Sequence, residues 1–88
     1  MNDIINHRKH IDKIDSRIIS LLGERMMHVR AIGEIKNKLN TQVTDSKRWE
    51  SLIKDRISKG IQNNLSPKLI TDLWDSIHRF SQTIEKKV

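Results

Sequence analysis

The sequence predicts an all-α fold: three helices per chain with a long first helix. Three observations carry this. Apolar residues recur at intervals of three, four and seven, as one buried helical stripe requires, and do not alternate as in a half-buried strand. Glycine and proline are scarce, 3 and 1 in 88 residues, so little breaks a helix. Polar interruptions near Asn40–Thr44 and Asn63–Ser66 divide the chain into three stretches. The length fits a single domain over residues 1–88.

The first helix is expected over about residues 3–39. Ile4, Ile11, Ile14, Ile18, Leu21, Leu22, Val29, Ile32 and Ile35 form its stripe, and no proline interrupts it. At 1.5 Å per residue it would be about 55 Å long, whereas a globule of this chain length is about 25–30 Å across. Such a helix cannot hide its stripe inside its own chain, so an obligate dimer is predicted. The second helix is expected over 45–63. Thr44, Asp45 and Ser46 are all good N-caps, and Leu52, Ile53, Ile57 and Ile61 follow on one face. The third, over 67–86, has the clearest start: Ser66 as N-cap, Pro67 at the first helical position, and Leu65 able to staple onto Ile70. Leu69, Ile70, Leu73, Trp74, Ile77, Phe80 and Ile84 supply its apolar face.

The formal charge is +6, from 17 basic and 11 acidic residues. Residues 1–44 hold 8 basic and 5 acidic residues and residues 45–88 hold 9 and 6, so the excess is spread evenly. A dispersed positive field suits a small anion as well as a polyanion. Trp49, Trp74 and Phe80 are too few aromatics for a base-stacking platform, so nucleic acid is not an expected partner. The absence of cysteine excludes disulfides and thiolate metal sites. His7 and His10 lie three apart without a clear carboxylate partner, and no HExxH occurs, so no metal is expected. Gly23, Gly33 and Gly60 are isolated and build no phosphate loop. The N-terminus lacks the apolar core of a secretory signal, and no run reaches the length of a membrane span. A soluble, cytoplasmic protein without membrane contact is therefore expected.

The candidate functional residues are charged positions in or beside the apolar stripes. Arg25 and Lys36 stand eleven residues apart, hence about 20° apart around one helix, with Val29 and Ile32 between them. Two long cations flanking apolar residues frame a pocket for a small dianion. On spacing alone, snorkelling at the stripe's edge is the commoner fate of such side chains. Arg8 lies about 25 Å before Arg25 and about 100° off its face. It cannot join that pair within one chain, but could reach the pocket of an antiparallel partner; a solvated surface arginine is the alternative. Arg48 follows Asp45 in the first turn of helix two, where the helix dipole disfavours a cation unless an anion joins it. Ser81 and Glu85 lie one turn apart on helix three, with Glu85 near the helix end that disfavours its charge. A frayed, exposed tail is the alternative for Glu85.

Together these residues resemble the all-helical chorismate mutases. The resemblance covers nearly the whole chain: HRKHIDKIDSRIISLLGERMMHVRAIGEIK, then VTDSKRW, then a helix ending in FSQTIE. It implies an intertwined homodimer with two identical pockets and Arg8 donated across the interface. The implied reaction is the Claisen rearrangement of chorismate to prephenate in the shikimate route to aromatic amino acids, without cofactor. It implies further that Arg8 and Arg25 grip carboxylates and that Arg48 supports the pocket's charge. Lys36 would donate to a carboxylate and the ether oxygen, and Asp45 and Ser81 would make polar contacts. Lys36, Glu85 and Arg25 are then the catalytic set.

Two positions depart from the usual pattern. Trp49 stands where the family often has a glutamate that accepts a hydrogen bond from the substrate's ring hydroxyl. Glu85 stands where many members have glutamine. Glutamine donates to the ether oxygen at any pH, whereas glutamate donates only when protonated. Trp49 is retained as a substrate-binding candidate and keeps two relatives in view: 4-amino-4-deoxychorismate mutases and isochorismate pyruvate-lyases. Asp45 reads weakly against the lyase. A non-catalytic basic helical dimer acting as a binding module is the alternative from another class; the in-register cations argue against it.

Overall fold

A computed structural model describes residues 2–42 and 45–88. It consists of α1 (Asn2–Lys38), α2 (Ser46–Gln62) and α3 (Pro67–Lys87), with no strand among the described residues. Of the expected N-caps, Thr44 lies outside those residues. Asp45 caps α2, its carboxylate accepting from the Arg48 amide at 3.0 Å. Ser66 caps α3 by accepting from the Leu69 amide at 3.1 Å, with Pro67 opening the helix.

The same stop signal ends α1 and α2. Asn40 and Asn64 adopt φ of 54° and 62°, a left-handed conformation that asparagine tolerates better than most residues. The Thr41 amide then bonds back to the Lys36 carbonyl and the Leu65 amide to the Gly60 carbonyl, each at 2.9 Å. These bonds satisfy carbonyls that a helix end leaves open. The first of them fixes the chain reversal beside Lys36.

α1 and α2 both pack on α3, and not on each other. Glycine permits the closest approaches. A Cβ at Gly33 would lie 2.8 Å from the Glu85 Cα, and one at Gly60 would lie 2.9 Å from Ile70 Cδ1. Val29, Leu52, Ile70 and Ile77 form the buried apolar core.

The molecule measures 57 × 23 × 15 Å, much longer than a globule of its size. Most of the α1 stripe is open in the single chain: Ile4 is 53% exposed, Ile14 50% and Ile18 48%. The apolar face expected of α3 is also only partly covered. Ile70 and Ile77 are buried, but Leu69, Leu73 and Phe80 are exposed. They lie roughly 60–100° further round the helix than the row that meets the other two helices. Ile61 of α2 is likewise exposed. Among the described residues, no helix is long and apolar enough to cross a membrane.

Candidate active site

Because α1 and α2 do not meet, a cleft of roughly 300 Å³ remains between them, with α3 along its length. α1 contributes Arg25, Val29, Ile32 and Lys36, the row predicted from spacing. Asp45, Arg48 and Leu52 come from the start of α2, and His78, Ser81, Gln82 and Glu85 from one face of α3. A neighbouring hollow shares Lys36 and Asp45 and continues past Thr41 and Lys47. A separate groove at Leu22, Met26, Ile77 and Phe80 is almost wholly apolar and unsuited to an anion.

Arg25 is anchored. Its Nη1 donates to Ser81 Oγ at 2.8 Å, and the Ser81 hydroxyl lies 2.8 Å from the Ile77 carbonyl, to which it can pass its own proton. Ser81 is buried, so this short chain of bonds also satisfies its hydroxyl. Burial first, then the charges of Arg56 and Arg48, hold the Arg25 guanidinium below the ordinary arginine value. It remains a cation at any ordinary pH, but one crowded by like charges from α2. An incoming carboxylate would relieve that crowding.

Lys36 Nζ lies 2.9 Å from Glu85 Oε1, and the Glu85 side chain is only 11% exposed. Glu85 is therefore not a frayed tail residue. The close approach of α1 and α3 at Gly33 brings the two charges together, since Lys36 lies one turn beyond that glycine. The contact is an ion pair whose angles are not those of an aligned hydrogen bond. Asp45 lines the cleft while its carboxylate caps α2, so it also positions the turn that carries Arg48.

Six of the eight predicted residues thus share one cleft: Arg25, Lys36, Asp45, Arg48, Ser81 and Glu85. Arg8 does not line it; it is exposed on α1, about 25 Å from Arg25 along the axis. Trp49 does not line it either. Its ring stacks on His78, which does, with centroids 4.4 Å apart and 27° between planes. Leu52, His78 and Gln82 were not foreseen. The signal for the two polar ones was their spacing, since His78 and Gln82 fall on the helical row of Ser81 and Glu85.

The family model of chorismate mutase type II matches residues 7–86. The chain belongs to that family. It is 30% identical over its whole length to the bifunctional chorismate mutase/prephenate dehydratase of Aquifex aeolicus, covering 25% of that protein. To the protein of the same name from Buchnera aphidicola it is 31% identical over 99% of its length, covering 23% of the relative. The chorismate mutase of Methanocaldococcus jannaschii is 44% identical over 52 residues, 59% of this chain and 52% of that protein. The chain thus spans about a quarter of the first two relatives and about half of the third. The family match takes in every cleft residue from Arg25 to Glu85, and Arg8.

Proposed function

We propose that the chain is a chorismate mutase that converts chorismate to prephenate in the cleft between its three helices. The observation that carries this is the convergence of Arg25, Lys36 and Arg48 on one small cleft beside Glu85, in a member of the type II family. Chorismate has two carboxylates, a ring hydroxyl and an enol ether. The rearrangement breaks the ether C–O bond and forms a C–C bond within the same molecule, with no proton or electron taken from the protein. The catalyst must hold the compact conformer and stabilise negative charge growing on the ether oxygen. Arg25, fixed by Ser81, is suited to a bidentate grip on a carboxylate, and Arg48 faces it from α2. Lys36 exchanges Glu85 for a substrate carboxylate and the ether oxygen, while Glu85, as the acid, donates to that oxygen. Asp45 and Ser81 make the remaining polar contacts.

The assembly belongs to the same proposal. The open α1 stripe supports a homodimer in which a second α1 covers it, with Arg8 completing the partner's cleft. We further place the protein in the cytoplasm, as an enzyme of aromatic amino acid biosynthesis that acts without a cofactor and contacts neither nucleic acid nor membrane.

One observation favours a second reading. Trp49 is a hydrogen-bond donor only and does not line the cleft, so it offers nothing to accept a bond from the ring hydroxyl. A 4-amino-4-deoxychorismate mutase is therefore the runner-up, ahead of an isochorismate pyruvate-lyase and of a non-catalytic binding module. Purified protein is incubated separately with chorismate, 4-amino-4-deoxychorismate and isochorismate, following loss of absorbance and identifying the product. Fast formation of prephenate supports the proposal. Fast turnover of an analogue with feeble turnover of chorismate would replace it by the corresponding relative. No turnover of any of the three would leave the binding module.

A further inference from the structure

The cations of the cleft match carboxylates, but one stretch of its wall is polar without a fixed charge. His78 and Gln82 lie one turn apart on α3, flanking Ser81, and all three line the cleft. His78 is half-buried and held from the side by Trp49 of α2, through the 4.4 Å ring stack. A stack between two helices fixes the plane of the imidazole, and its nitrogens then point outward in that plane. Among the described residues, no hydrogen bond occupies those nitrogens. A neutral imidazole carries one donor and one acceptor. That pairing suits a hydroxyl or amine, each of which can both give and take a hydrogen bond. It suits a carboxylate, which only accepts, less well than the three cations nearby do.

We infer that His78, oriented by Trp49 and assisted by Gln82, is the specificity-determining residue for the neutral substituent on the substrate's ring. The inference rests on the reading of the cleft as a chorismate site. By it, Trp49 does not leave the ring hydroxyl unrecognised: it forgoes a carboxylate of its own and presents an imidazole in its place. Trp49 acts through His78 and is a positioning residue.

The test uses the full chain, chorismate, and the analogue with hydrogen in place of the ring hydroxyl. kcat/KM is measured for both compounds with the wild type, His78→Ala and His78→Gln. One hydrogen bond to a neutral group in a cleft open to water is worth about a tenfold preference. Wild type is expected to prefer chorismate by about that factor. His78→Ala should lower chorismate turnover about tenfold, leave the analogue's unchanged, and so erase the preference, with His78→Gln restoring part of it. A purely structural role would slow both compounds alike. That result, or no effect on either, overturns the inference while the mutase reading stands.

The His78 ring resonances, followed by NMR during titration of the wild type with each compound, give a readout that needs no variant to fold. A saturable shift with chorismate and a weaker one with the analogue are expected; turnover without any shift at His78 also overturns the inference. If the wild type neither turns over nor binds either compound, the chorismate reading fails and takes this inference with it.

Discussion

At Arg25 the chain keeps a cation where burial and two neighbouring arginines both oppose it, an arrangement that costs stability unless an anion arrives. Its guanidinium is aimed by Ser81, and only an arginine can bond the serine and still present a fork to a carboxylate. Arg25→Lys keeps the charge and loses the fork, so kcat/KM for chorismate should fall between about tenfold and 100-fold, the worth of one charged hydrogen bond. An unchanged kcat/KM would mean that Arg25 does not touch the substrate. Glu85 calls for a different test. In the proposed chemistry it is a hydrogen-bond donor to the ether oxygen, a part that glutamine can also play and alanine cannot. Glu85→Gln should therefore keep kcat for chorismate, whereas Glu85→Ala should lower it by about tenfold to 100-fold. The glutamine variant also removes the ion pair with Lys36, which is partly exposed, so little stability should be lost with it. An unchanged kcat in the alanine variant would remove Glu85 from the chemistry.

At the level of the elements, the α1–α3 contact at Gly33 sets the distance between Lys36 and Glu85. A Cβ there would meet the Glu85 Cα at 2.8 Å and its carbonyl oxygen at 3.2 Å, and backbone atoms cannot turn aside as a side-chain end can. Alanine favours the helix by about 1 kcal/mol over glycine, while overpacking costs about 1–3 kcal/mol. Gly33→Ala should therefore lower the urea midpoint modestly and, by pushing α3 away, lower kcat more than the stability loss explains. A more stable and fully active variant would show that the helices yield at no cost. The elements also show what could be read from the chain and what could not. Helix boundaries came through because local chemistry decides them: Asp45 and Ser66 cap, Pro67 opens, and Asn40 and Asn64 take the left-handed turn. Arg25, Lys36, Ser81 and Glu85 came through because each pair shares a helix, where spacing fixes direction. His78 did not: its spacing puts it on the row of Ser81 and Glu85, but its orientation depends on Trp49, a residue of another helix stacked on its ring. Leu69, Leu73 and Phe80 belong to the apolar face of α3 yet stay exposed in the single chain, because periodicity marks an apolar side without saying which neighbour covers it.

For the whole molecule, the length of α1 is the governing fact. A shape 57 Å long with isoleucines open along it fits the proposed homodimer, because a second copy antiparallel to the first would bring a stripe of the same length and character. If folding requires that partner, the urea midpoint and Tm should rise with protein concentration, and sedimentation should give twice the 10.4 kDa chain mass. A concentration-independent midpoint at the mass of one chain would defeat the dimer. Sharing of the cleft can be tested apart from assembly, because Arg8 and Arg25 would serve one site from different chains. Arg8→Ala and Arg25→Ala should each be nearly inactive alone. Unfolded together and refolded as an equal mixture, half the dimers are mixed. Each mixed dimer has one cleft with both arginines intact and one with neither, so about a quarter of wild-type activity should return. If Arg8 instead acted on its own chain's cleft, every cleft in the mixture would lack one arginine, and mixing would restore nothing.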